Sequence, residues 1–480
     1  MLVEGSILAI FSAATVVVHA LGIVHAAHAV MRVRSSQGAI AWGISLVTFP
    51  WLAIPLYWIL GRTKFHGYAE ALRLVYTQHH KLIRQTYSEI KQFQVTLPEK
   101  LAALQPLTEA LTPISFTSGN AAKLLIDGQR TYEAMLSAIA SATDYILLQS
   151  YSINDDQAGN EFKERLIAKA KQGVYIYLLY DEIGSNKITR SYIKSLHKNG
   201  IQVSAFHTTK GKGNRLQLNF RNHRKILVVD GETAFVGGLN IGDEYLGKNR
   251  RLSPWRDTHL ILQGPTVQTL QNSFLRDWYW ATGKLLEVNW RIKPNRESNQ
   301  TALVLPTGPA DQLKACNLFF VNVIDQAQTR LWIASPYFVP DDSTLTALKL
   351  AALRGVDVRI ILPNHPDHLL VYLCSFSYYG EMQSIGIKLY RYKNGFMHQK
   401  IILLDQDMAG VGTVNLDNRS FFLNFEVMGF VTDLRFVESV EKMLQDDLAA
   451  SDAVELSEYD RKSLWFKLAV RFSRLLTPLL

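Results

Sequence analysis

Cysteine is scarce. The 480 residues carry two, Cys316 and Cys374, which cannot build a disulfide framework or a four-thiolate metal site and which fit a reduced compartment. Formal charge is missing from whole stretches: none lies between Gly5 and Met31, and none between Ala39 and Leu60. Apolar and aromatic residues are plentiful. A hydrophobic share of 48% with 20 Tyr, 22 Phe and 9 Trp excludes a disordered chain, and the length suits two to four domains. Fifty-one Lys and Arg against 42 Asp and Glu give +9, a balance that suits phosphate or acidic lipid without choosing between nucleic acid and membrane.

Each uncharged stretch exceeds the roughly 20 residues that cross a hydrocarbon core as helix. The polar loop Arg32-Val33-Arg34-Ser35-Ser36-Gln37-Gly38 separates them. The pattern predicts a two-helix transmembrane hairpin over 1–61, with spans at about 6–30 and 39–60 and Trp42, Trp51, Tyr57 and Trp58 as interfacial aromatics. A cleaved signal peptide is the rival, but it needs a basic start and a short apolar run, and Glu4 is the only early charge. Arg32 and Arg34 in the loop face Arg62, Lys64, Arg73, Lys81 and Arg84 on the exit side, and the larger count predicts a cytoplasmic body. His19, His25 and His28 in the first span either ligate something within the membrane or satisfy nearby backbone and headgroup partners. Residues 62–105, with Leu72, Val75, Leu82, Ile83 and Ile90 at helical spacing, read as an amphipathic connector near the membrane surface. Pro98, Pro106 and Pro113 then punctuate the chain, so the body is expected from about 106.

That body is written twice, 106–295 and 296–460. Ile146–Tyr151, the amphipathic 161–172, Gly173 and Val174–Asp181 recur as Leu331–Ser335, 345–354, Gly355 and Val356–Leu362. Strand, helix, glycine and strand in both halves predict an α/β fold of two duplicated domains related by a pseudo-two-fold axis.

The best repeat is polar. His223-Arg224-Lys225 leads to Asp230 and then Gly237-Gly238-Leu239-Asn240; His398-Gln399-Lys400 leads to Asp405 and then Gly412-Thr413-Val414-Asn415. The motif residues His223, Lys225, Asp230, His398, Lys400 and Asp405 form the candidate catalytic set, with Asn240 and Asn415 as amide donors to phosphate. On a strand, His and Lys two apart share a face while the Asp has opposite parity, so within the set Asp230 and Asp405 are expected to be structural. Lysine is seldom a metal ligand, and no carboxylate cluster accompanies the motifs, so no metal and no cofactor are expected. Two lysines and two amides make a cradle for phosphate oxygens. Of two facing imidazoles, one attacks phosphorus and the other protonates the leaving oxygen, and an unperturbed pKa near 6.5 allows both forms near neutrality.

The paired motif resembles the phospholipase D superfamily. The whole chain resembles the long, hairpin-anchored bacterial cardiolipin synthases within it, through Asn120 and 124–128, 131–136, Pro254-Trp255-Arg256-Asp257, 415–421 and Asn424-Phe425-Glu426. The resemblance implies phosphatidyl transfer between two phosphatidylglycerol molecules through a phosphohistidine, giving cardiolipin and glycerol. It implies His223 as nucleophile and His398 as acid and then base, an order that the nearly symmetric motifs leave open. It also implies that Asp257 and Glu426 orient the imidazoles. Gly238 and Thr413 depart from a serine common in the superfamily. The implied setting is multi-pass in the bacterial inner (cytoplasmic) membrane, with phosphatidylglycerol and cardiolipin as partners and no nucleic acid; an oligomer is compatible but unspecified. The alternatives are a phospholipase D-type hydrolase or nuclease, a phosphatidyltransferase using another donor such as phosphatidylethanolamine, and a membrane protein with decayed sites, which the complete motifs argue against.

Three segments keep two readings each. The tail 461–480, with Trp465, Phe466 and Phe472 among Lys467, Arg471 and Arg474, is an amphipathic helix that either lies in a membrane interface or docks on the body. Lys210, Lys212 and Arg215 form a basic lip for headgroups or a solvated loop. His365 and His368 shape the substrate entrance or, less simply, bind metal.

Overall fold

The computed structural model describes residues 2–33, 36–61, 65, 67–78, 80–207, 209, 219–455 and 457–477. The chain divides into two units, 1–68 with 208–220, and 69–207 with 221–480. Arg34, Arg62, Lys64, Lys210, Lys212 and Arg215 lie outside the described residues, as do the side chains of Val75, Lys81, Leu82, Ile83 and Arg84.

In the first unit, helix α1 (Leu2–Arg32) contains the stretch Ile10–Arg32, long and apolar enough to cross a membrane, and Ile10, Phe11, Val16 and Val24 on it are exposed. The second uncharged stretch is not one span. It is broken into α2 (Ser36–Thr48) and α3 (Pro50–Leu60). Pro50 has no N–H to continue the ladder of α2. At 1.5 Å per residue, the 13 residues of α2 reach about 20 Å, short of the roughly 30 Å hydrocarbon core. α3 then turns back along α1. A Cβ on Gly22 would lie 2.3 Å from the Leu46 carbonyl oxygen and 2.9 Å from Pro50 Cβ, while Tyr57 meets His28, their hydroxyl and Nδ1 2.7 Å apart, and packs on Trp42. Going from Gly22 to His28 and from Pro50 to Tyr57 is therefore travel in the same direction, which brings the end of α3 back to the Arg32 end of α1. Ala29, Leu46, Ala53 and Tyr57 form the small core. His19 and His25 donate from Nδ1 to the carbonyls of Thr15 and Leu21, the backbone-satisfying alternative of the two.

In the second unit, helices Tyr68–Gln78 and His80–Lys91 precede the body. The body takes over earlier than residue 106: Val95 N–H donates to Phe116 O, and Leu97, Leu101 and Leu104 are buried in the main core.

The body is a continuous sheet in two matching halves. The first half contains β1 (Thr117–Ile126), β2 (Tyr145–Ser150), β3 (Tyr175–Asp181), β4 (Gln202–Phe206), β5 (Ile226–Val229), β6 (Thr233–Gly237) and β7 (Thr258–Gln263). The second contains β8 (Gln300–Thr307), β9 (Arg330–Ala334), β10 (Asp357–Pro363), β11 (Lys388–Tyr392), β12 (Ile401–Leu404), β13 (Met408–Gly412) and β14 (Asn424–Val431), with β15 (Ser451–Ala453) at the edge. The first half runs β1-β7-β6-β5-β2-β3-β4 and the second β8-β14-β13-β12-β9-β10-β11, joined where β1 pairs with β8. Within the halves of this sheet β2-β3-β4 and β9-β10-β11 run parallel, as the strand–helix–strand repeats require. β2, β5 and β12 are buried along their whole length, which accounts for their unbroken apolar sequence. Gly173 and Gly355, each at φ 92°, end equivalent helices in the left-handed region that glycine tolerates. Each half has its own apolar core.

Two short parallel pairings cross between the halves. Arg221–Asn222 pairs with Asn424–Phe425 at the start of β14, and Phe396–Met397 pairs with Trp255–Arg256 ahead of β7. The tail helix Leu464–Arg474 docks on helix Leu369–Ser384: Val470 and Ser473 are buried, and Phe466 packs edge-on to Phe376. Its other apolar residues stay outside, with Leu464 70%, Trp465 80%, Phe472 67% and Leu475 74% exposed.

Candidate active site

The crossing pairs decide where the histidines go. His223 N–H donates to Phe425 O at 2.9 Å, and His398 N–H donates to Arg256 O at 2.8 Å, so each motif is pinned to the opposite half. Both imidazoles line one cavity of about 560 Å³ together with Asn240, Asn415, Tyr151 and Trp255. Each ring has an aromatic against it, Tyr151 on His223 at 5.1 Å and Trp255 on His398 at 5.0 Å.

The carboxylates also cross. His223 Nδ1 lies 2.9 Å from Glu426 Oε2, and His398 Nδ1 lies 2.8 Å from Asp257 Oδ2, both carboxyls fully buried. With Nδ1 held in each ring, Nε2 is the nitrogen left for chemistry. Ser420 and Asn424 donate to Glu426 Oε1, and Thr258 N–H and Trp255 Nε1 donate to Asp257, which fixes both carboxylates. A Cβ at Gly238 would come within 2.0 Å of Asp257 Oδ1, so glycine there makes room for the carboxylate. At the equivalent position Thr413 Oγ1 is bound to the Val427 backbone, so neither departure from serine meets the cavity.

Lys225 Nζ donates to His223 O at 2.8 Å, and Lys400 Nζ donates likewise to His398 O. Burial brings Lys225 down to about 7 and Lys400 down to about 8, against the pull of the two carboxylates. Burial also pushes His223 down to about 4, Glu426 opposing and Lys225 assisting, and it takes His398 well down too, with Lys400 adding to the shift. Burial therefore favours the neutral form of both rings. Glu426 sits below the usual carboxylate range because His223 and Lys225 outweigh its burial, whereas burial of Asp257 prevails over Lys400 and raises it. An arriving phosphate anion offsets the lysines and favours an imidazolium beside it.

Asp230 and Asp405 lie apart from this group. Asp230 accepts from the backbone N–H of Thr143, Asp144 and Tyr145 and from the Thr143 hydroxyl. Asp405 accepts from Gln328, Thr329 and Arg330 in the same way. Both occupy the left-handed region, φ 54° and 49°, and tie the turn after the motif strand to the start of β2 or β9. Strand parity had predicted this structural role. Asn240 Oδ1 accepts from Ser152 N–H and its Nδ2 donates to Tyr245; Asn415 Oδ1 is buried without a partner among the described residues. Asp367 and His368 line the cavity, Asp367 accepting from Tyr337 Oη at 2.6 Å, while His365 is not among its lining residues.

Sequence reasoning did not single out the groups beneath the motifs. Arg224 pairs with buried Asp277, which also accepts from Asn222 and Gln149. In the other half Gln399 and Arg256 both reach Asp447. The intervening motif residues Arg224 and Gln399 differ in type, which hid the shared wiring. The one available signal was an aspartate at matching places in the two long helices, Thr266–Thr282 and Leu434–Ala449.

The family model described as cardiolipin synthase, phospholipase D-like domain, matches residues 135–278 and 320–448. The chain is 44% identical over 473 residues to cardiolipin synthase A of Pseudomonas aeruginosa, across 96% of this chain and 95% of that one. It is 42% identical over 468 residues to cardiolipin synthase A of Pseudomonas putida, across 96% and 97%. Among solved structures, phosphatidylserine synthase of Haemophilus influenzae shares the fold, with a TM-score of 0.61 at 14% identity over 78% of this chain and 99% of that one.

Proposed function

The chain belongs to the cardiolipin synthase family of phospholipase D-like proteins, and on that premise we propose that it joins two phosphatidylglycerol molecules into cardiolipin, releasing glycerol. One observation carries the reading: two carboxylate-held imidazoles from opposite halves line a single cavity, each with its motif lysine on its own backbone carbonyl. His223 Nε2 attacks the phosphorus of one lipid, the bond to its headgroup glycerol breaks, and that oxygen takes its proton from imidazolium His398. Neutral His398 then removes the proton from a hydroxyl of the second lipid's glycerol, whose oxygen displaces His223 from phosphorus. Lys225 and Lys400 with Asn240 and Asn415 hold the phosphate oxygens as charge develops. No step calls for a metal or a cofactor. Asp257 and Glu426 keep each Nδ1 engaged and stabilise the imidazolium when it forms.

The membrane gives the acceptor lipid its advantage over water by concentrating it at the site. The N-terminal unit supports this with one span, α1, and a re-entrant pair, α2 and α3. α3 returns to the Arg32 end of α1, so both helices end on one side of the apolar layer. The excess of Lys and Arg in the sequence from Arg32 to Gly38 and after Leu60 supports a cytoplasmic body.

Purified protein incubated with labelled phosphatidylglycerol alone tests the function: cardiolipin with free glycerol is expected, and phosphatidic acid with glycerol would mean a hydrolase. Adding phosphatidylethanolamine as sole donor distinguishes a transferase of different donor choice.

A further inference from the structure

Outside the two imidazoles and the Asn240–Asn415 pair, the cavity is not symmetric. From 221 to 244 the first half maps onto 396 to 419 of the second at constant spacing, His223 onto His398 and Asn240 onto Asn415. The crossing pairs extend the match, with Asn424 facing Arg221 where Trp255 faces Phe396. Arg221 thus corresponds to Phe396, Arg419 to Glu244, and Asn424 to Trp255. Arg221, Arg419 and Asn424 all line the cavity, as do Glu244 and Trp255. One side of the cavity therefore carries two guanidiniums and an amide, with Asp417 near Arg419, while its structural twin carries Trp255 and a Glu244 paired with Lys187 at 3.7 Å.

The reaction has a matching asymmetry. Once the phosphohistidine has formed, the acceptor phosphatidylglycerol brings a second phosphate, separated from the attacking hydroxyl by a three-carbon bridge. Water and free glycerol bring none. A planar guanidinium is suited to a phosphodiester, which it can hold through two N–H donors. Burial lowers the Arg419 pKa, and the charge of Arg221 lowers it further, so the two arginines stand close enough to repel. An anion bound to both removes that cost.

Resting on the function proposed above, we propose that Arg221 and Arg419, with the Asn424 amide, form a second phosphate subsite that holds the acceptor lipid's own phosphodiester during transfer. The subsite makes acceptor choice a property of the protein as well as of the membrane. With Trp255 and Glu244 the twin position offers no guanidinium to an anion, so a single acceptor orientation results.

The test compares two acceptors on the full-length protein in mixed micelles: phosphatidylglycerol, read as cardiolipin, and labelled glycerol, read as label entering phosphatidylglycerol. In the double variant R221Q/R419Q the ratio of cardiolipin formed to glycerol incorporated is expected to fall about tenfold or more, with partial recovery in R221K/R419K. A ratio within about twofold of the parent's, whether both rates hold or both fall together, overturns the subsite. A measurement on the parent alone covers variants that fail to fold: sn-glycerol 3-phosphate should outcompete glycerol as acceptor, and preference for plain glycerol overturns the proposal. A parent that incorporates glycerol but forms no cardiolipin refutes the function itself, and the subsite with it.

Discussion

Beneath the cavity the two halves use the same wiring. Each histidine is held by a carboxylate and a backbone carbonyl of the other half, each motif lysine reaches its own histidine's carbonyl, and each motif aspartate closes the same turn. At the walls the halves diverge, Arg221, Arg419 and Asn424 against Glu244 and Trp255. The bond-making step needs two equal tools, so duplication is retained there. The two lipids play unequal parts, so the walls differ.

The comparison breaks most sharply at the histidines. His223→Ala and His398→Ala should each lower transfer by at least about 10³-fold, since nucleophile and proton carrier cannot replace one another; retention of most lipid transfer by either variant would sink the two-imidazole scheme. Next, Glu426→Gln and Asp257→Asn should each cost about 10²-fold in kcat while leaving KM close to the parent value, because they act through the imidazoles. Equal losses would support equivalent halves, and a loss confined to one would show that the carboxylates have diverged too.

The pH profile sharpens the same comparison. With His223 at about 4 and the lysines at about 7 and 8, lowering pH through the first value protonates the nucleophile. Raising pH through the other two discharges the phosphate cradle. A bell-shaped kcat/KM is expected, with its acid limb below the 6.5 of free imidazole; an acid limb at or above that value would contradict the lowering of the imidazole pKa by burial. Smaller again, Asp405→Asn and Asp230→Asn should each lower stability by about 2 kcal/mol, read as a drop in Tm, with turnover of the folded fraction largely kept. Least of all, removing residues after Ser463 should weaken vesicle binding only severalfold compared with removal of 1–61, because the tail offers one exposed face, Trp465 and Phe472 among it.

Much of this was legible in the chain. The strand–helix–glycine–strand repeats appear as β2-β3 and β9-β10, and parity separated His223 and Lys225 from Asp230 because alternation along a strand is a local property. The second membrane span was misread for an equally local reason: a hydropathy run of 22 residues from Ala39 to Leu60 measures apolarity, and the turn at Phe49–Pro50 reveals itself only when α3 finds α1 to pack against. The tail gave the right helix but could not say which of its apolar residues would be used by Phe376 and which left outside.

The sequence by itself determined the duplicated α/β pattern, the chemistry of the motif residues and the apolar N-terminus, since periodicity and side-chain type act within a few residues. Tertiary structure decided that His223 is held by Glu426 and His398 by Asp257, across 203 and 141 residues of chain, and that burial lowers the pKa of both rings. Partner choice and desolvation depend on which segments share a low-dielectric interior, and that is settled only when the two halves close on one another.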